Sequence, residues 1–68
     1  MDRESLETSL RESANGSVWI GCAKLRKWLG VGQAHFREFT EGMEYRISGN
    51  RKVYFIKDVA ERILRDVE

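Results

Sequence analysis

The sequence predicts a small α+β fold made of two short helices, a β-hairpin and a C-terminal helix. Three observations predict it. Apolar residues recur at helical spacing over Cys22, Leu25, Trp28 and Leu29, and again at Phe36 and Phe39. Hydrophobicity then switches to a period of two on either side of Gly49-Asn50, as a two-stranded ribbon requires. Past Phe55 the helical period returns, with Val59, Ala60, Ile63 and Val67 on one stripe and Leu64 at its edge.

Taken in order, residues 1–16 are polar and close on Asn15-Gly16-Ser17, with only Leu6 and Leu10 at an i, i+4 spacing. An isolated helix so short is marginal, so these residues are expected to form a flexible polar arm ahead of a domain spanning 17–68. Val18-Trp19-Ile20 is a short strand or the lead-in to the first helix. That helix carries Lys24 and Lys27 away from its apolar face, with Arg26 at the flank, and Gly30 stops it. Gly30-Val31-Gly32 is a tight connector. The second helix runs roughly from Gln33 to Glu41, burying Phe36 and Phe39 and ending at Gly42; Ala34, Arg37, Glu38 and Glu41 oppose the phenylalanines. In the ribbon, an odd loop such as Gly49-Asn50-Arg51 pairs Ile47 with Val53 and Tyr45 with Phe55. That collects four apolar side chains on one face and leaves Arg46, Ser48, Lys52 and Tyr54 on the other. The last helix begins near Lys57 or Asp58, with Asp58 suited to its positive N-terminal end.

With 68 residues the chain has room for one core. No apolar run reaches the ~20 residues of a membrane span, and no apolar signal core follows Met1, so a cytoplasmic protein is expected. One cysteine, Cys22, and one histidine, His35, provide neither a disulfide nor the usual ligand set for structural zinc. The net charge of +1 conceals a pattern. Residues 1–16 carry two basic and four acidic side chains, residues 17–57 eight and three, and residues 58–68 two and four. A basic middle between acidic ends points to a polyanionic partner for the middle.

No nucleophile–base–acid set and no glycine-rich phosphate loop is present, so neither enzymatic activity nor a cofactor is expected. The pattern with chemical content is two short helices around a glycine turn, followed by a hairpin with a polar, basic tip. In a helix-turn-helix the second helix enters the major groove. Gln33 suits adenine and Arg37 suits guanine O6 and N7. Ala34 allows close approach or contact with a thymine methyl. Asn50, Arg51 and Lys52 at the hairpin tip reach phosphates or a minor groove, joined by the outward Arg46 and Ser48, while Lys24 and Lys27 lie near the backbone.

The runs "WIGCAKLRKWLGVGQAHFREFTEG" and "YRISGNRKVYFIKDVAERIL" resemble the small excisionases of phages and mobile elements and the related MerR-type winged-helix domains. Leu29-Gly30-Val31, Gly42, Arg46-Ile47-Ser48-Gly49-Asn50-Arg51 and Asp58-Val59 fit that family's turn, helix end, wing and last-helix opening in order. Gly32 stands where the family has serine or threonine, and no proline precedes the wing. The resemblance implies a winged helix-turn-helix that binds double-stranded DNA, with neighbouring copies on adjacent sites. It implies bending that directs a tyrosine or serine integrase towards excision, without a small-molecule substrate or a membrane. A transcriptional regulator and a DNA-reading subunit of a phage packaging machine share the same pattern. A protein-interaction module on the winged scaffold is the reading of another class, motivated by the acidic ends and the small net charge.

The remaining side chains have structural readings. Trp19, Trp28, Phe36 and Phe39 are expected in the core, with Cys22 as a small buried residue and His35 beside the buried face. Arg62 and Arg65 are expected on a solvated helix face, paired with Glu61, Asp66 or Glu68.

Overall fold

A computed structural model of the protein describes residues 2–67, with side-chain surroundings through 65. Among the described residues the order is α1 (Arg3–Ser13), β1 (Trp19–Gly21), α2 (Cys22–Leu29), α3 (Gln33–Thr40), β2 (Arg46–Ser48), β3 (Arg51–Phe55) and α4 (Ile56–Val67). The result is a small α+β fold with a three-stranded antiparallel sheet ordered β1-β3-β2. No helix of the described residues is long and apolar enough to cross a membrane.

The N-terminal residues correct the first expectation, because they are not a flexible arm. Both ends of α1 are capped by its own sequence. The Asp2 side chain accepts a hydrogen bond of 2.7 Å from the Ser5 amide, which satisfies one orphan donor of the first turn. At the other end Asn15 adopts a left-handed φ of 57°. The Asn15 amide then donates to the Glu12 carbonyl, and the Gly16 amide to the Arg11 carbonyl. Those two bonds form a Schellman closure with asparagine in the left-handed position. Leu6 and Leu10 are buried in the core alongside Ala14. Burying each leucine contributes about 1.5–3 kcal/mol, which converts a marginal isolated helix into a fixed one. The Trp28 indole N–H donates to Ser9 Oγ at 3.1 Å and ties α2 to α1.

The core gathers one layer of helices on one face of the sheet: Leu6, Leu10, Ile20, Leu25, Phe36, Tyr54, Ile56, Val59 and Ala60. Leu25 is the fully buried residue of α2. Trp28, Leu29, Cys22 and Phe39 pack against the core partly buried, so Trp28 and Cys22 are shallower than expected. Trp19 is also only partly buried and His35 is exposed. Gly30 ends α2 at φ 70°, a left-handed conformation that glycine adopts without a Cβ penalty. α4 starts at Ile56, whose amide donates to the Val18 carbonyl at 2.9 Å, one residue ahead of the expected start. Val67 of the expected stripe, and Asp66 and Glu68 as arginine partners, lie outside the described side chains.

The hairpin corrects the second expectation. Its loop is the two-residue Gly49-Asn50, and the register pairs Arg46 with Val53, Ile47 with Lys52 and Ser48 with Arg51. Gly49 has φ 65° at the first central position, which fits a tight hairpin turn of the II′ kind. The parity of β3 is set by its other neighbour. Ile20 of β1 is fully buried and pairs with Tyr54, so Tyr54 also points inward and is only 4% exposed. Lys52 and Ile47 follow onto that face by the period of two. The four apolar side chains therefore do not share a face. Ile47 and Tyr45 are 61% and 52% exposed, while Val53 and Phe55 lie partly buried on the opposite face. There Phe55 packs against Trp19 with ring centres 5.1 Å apart.

Candidate nucleic-acid interface

α3 is seated by its phenylalanines. Phe36 meets Tyr54 edge-on, with ring centres 6.3 Å apart, and Phe39 packs partly buried against the core. The opposite side of the helix, Gln33, Ala34, Arg37 and Glu38, faces solvent. The N-terminal end has Gly32 as its cap residue, without a side-chain hydrogen bond. Its first amides are thus open towards whatever approaches that end. The C-terminal end is held from α4. Arg62 Nε donates to the Phe39 carbonyl at 3.0 Å, and Arg62 Nη2 donates to the Glu41 carbonyl. Arg62 is therefore a cap that fixes α3 to α4 and not a member of a solvated face. Carbonyls at a helix end lack intrahelical donors and carry partial negative charge, so a guanidinium satisfies both needs there.

Two grooves border the hairpin, and one of them also borders α3. The first, of about 640 Å³, lies between α3 and the hairpin and is lined by Ala34 and Arg37 on the helix side and by Tyr45, Lys52 and Tyr54 on the sheet side. Glu38 and Glu41 also line it. The second, of about 690 Å³, runs between the start of α2 and the hairpin tip, and includes Lys24, Ser48, Asn50, Arg51 and Lys52. Three cations and no acidic side chain line this second groove, so its potential is positive wherever the chain as a whole is near neutral. Lys52 borders both grooves. Its ammonium stands 4.5 Å from the centre of the Tyr45 ring, a cation–π contact that steadies a flexible side chain.

Of the ten residues expected in the interface, all are exposed. Seven line one or both grooves: Lys24, Ala34, Arg37, Ser48, Asn50, Arg51 and Lys52. Three do not. Gln33 sits at the open N-terminal end of α3 and Lys27 on the exposed side of α2. Arg46 lies on the other face of the sheet, its guanidinium 5.2 Å above the Trp19 ring. Tyr45 was missed as a groove residue because alternation alone places it with the core.

Among the described residues, Tyr54 and Asp2 have shifted titrations. Burial pushes the Tyr54 hydroxyl up, with the nearby Thr40 hydroxyl acting in the opposite direction. The hydrogen bond from the Ser5 amide holds the Asp2 carboxyl below its usual range. Neither group is poised for proton transfer near neutrality. Among the described residues no three His, Cys, Asp or Glu side chains are grouped so as to hold a metal ion. Comparison with protein-family models, curated proteins and solved structures yields no match.

Proposed function

We propose that the chain is a winged helix-turn-helix protein that binds double-stranded DNA in a sequence-specific way. In this reading α3 is the recognition helix, the β2–β3 hairpin is the wing, and the protein acts as an architectural factor of the excisionase type. One observation carries the reading. The solvent-facing side of α3, the start of α2 and the hairpin tip border two grooves that share Lys52, and the tip groove has three cations and no acid. A helix offered beside a cationic ribbon matches a duplex, whose major groove admits the helix and whose phosphates lie on either side. Arg37 and Gln33 then read base edges, while Lys24, Arg51 and Lys52 neutralise phosphates. The excisionase role rests on the sequence resemblance, and bending with neighbouring copies beside an integrase is the activity it implies.

Titrating salt against duplex binding tests the reading. The full chain is expected to bind random-sequence duplex at low salt and to lose affinity linearly in log–log form as salt rises from about 50 to 200 mM. Selection from a random pool is expected to yield a preferred site. Absence of duplex binding at low salt, or binding indifferent to salt, ends the proposal. It would favour instead a protein-interaction module, the reading to which the exposed Tyr45 and Ile47 lend support.

A further inference from the structure

We infer that Arg46 is a positioning residue that fixes the angle of the hairpin, acting through the Trp19 ring without touching DNA; the inference rests on the DNA-binding reading above. β2 has a single strand partner, β3, and lies at the edge of the sheet. All three of its residues are exposed, so no side chain of β2 anchors it in the core. On β3 burial begins only at Val53, which leaves Arg51 and Lys52 outside as well. A two-stranded ribbon with so little cover is marginal by itself. Two side-chain contacts grip its base, one on each face of the sheet.

On the face that Tyr54 occupies, the Tyr45 ring meets Tyr54 with centres 6.4 Å apart, and Tyr54 in turn meets Phe36 of α3. On the opposite face Arg46 reaches across β3. It pairs with Val53, and Val53 pairs with Gly21 of β1. The guanidinium ends 5.2 Å from the centre of the Trp19 ring, two residues back along β1. The contact therefore crosses two strand spacings, about 9–10 Å of sheet. A planar, weakly hydrated guanidinium is suited to stacking on an aromatic face. A ribbon gripped on one face alone can still tilt, whereas opposed contacts resist tilting both ways. The surroundings of Arg46 also disfavour a phosphate contact. Glu44 and Asp58 line the recess that holds it, whereas the tip groove has three cations and no acid. A phosphate approaching Arg46 meets two carboxylates that repel it. With both grips in place, the Arg51 and Lys52 positions are set beside Lys24 before DNA arrives. Binding then does not have to order them.

Duplex binding by the full chain across a salt series, together with amide relaxation of residues 49–52 in the free protein, tests the assignment. Arg46→Gln is expected to weaken every duplex about two- to fivefold, the affinity equivalent of one exposed cation–π contact. Its salt slope should match the wild type, because no phosphate contact is removed. In the free protein the same variant should lower the order parameters of residues 49–52 and leave those of α1 unchanged. Arg46→Lys, which keeps a cation for the ring, should restore both properties. Trp19→Leu should reproduce both effects, and combining it with Arg46→Gln should add nothing further. Should Trp19→Leu fail to fold, the two variants at the exposed position 46 decide the outcome. A salt slope reduced by about one in Arg46→Gln makes Arg46 a phosphate contact and overturns the positioning role. Weaker binding with an ordered tip, a loosened tip with undiminished binding, or no change in either also overturns it, and each leaves the DNA reading standing. Failure of the wild type to bind any duplex overturns the DNA reading and this role with it.

Discussion

Arg37 and Arg51 carry different halves of the proposed interaction, and single substitutions separate them. Arg37→Ala should cost ~1–3 kcal/mol at the selected site and relax the preference at one base pair, as measured by binding to a panel of single-base variants. Arg51→Ala should weaken all duplexes about equally and reduce the salt slope by roughly one. If Arg37→Ala leaves the preferred site unchanged, α3 is not the reading element. Tyr54 gives a pH signature of the sheet. Its folded pKa is raised by burial, so its contribution to stability is full below the unfolded value of about 10. That contribution is lost as pH rises through the higher folded value. Melting temperatures across alkaline pH should show this step, Tyr54→Phe should remove it, and Tyr45→Phe should retain it.

At the scale of elements, α1 and the end of α3 hold the surprises. Deleting residues 1–16 removes Leu6, Leu10 and Ala14 from the core. A domain this small has a margin of only about 3–5 kcal/mol, so the truncated chain should be unfolded by circular dichroism. A flexible arm would come off without loss. Asp2 ties part of that margin to acid. Its carboxyl pKa is depressed by the Ser5 amide. Its stabilisation is therefore present above the ordinary carboxylate value and fades as pH falls through the folded one. Arg62→Ala should destabilise the fold by about 1–2 kcal/mol in chemical denaturation, because two carbonyls at the end of α3 lose a charged donor. Arg65→Ala, at an exposed position, should be nearly neutral.

For the whole molecule, the separation of roles follows from how little core there is. The phenylalanines of α3 and Tyr54 of β3 are committed to packing, which leaves Lys24 of α2, Arg37 of α3 and Arg51 and Lys52 of the hairpin on the borders of the two grooves. Much of this was legible in the chain. The period of 3.6 located α2 and α3 by their apolar stripes. Gly30 ended α2 because only a left-handed residue closes that turn cheaply, and the exposed side of α3 followed from Phe36 and Phe39. Signals for α1 were also present, in Asp2 as an N-cap and Asn15-Gly16 as a Schellman end, but they resemble the punctuation of a loop. Local sequence determined α2, α3, the two hairpin strands and α4 as elements, and the polar face of α3, since these depend on neighbours a few residues apart. Tertiary structure decided the parity of β3, the burial of Leu6 and Leu10, and the capping of α3 by Arg62. These depend on groups 20 or more residues away, and β1 settles the parity by placing Ile20 opposite Tyr54, a long-range pairing that alternation along a single strand does not encode.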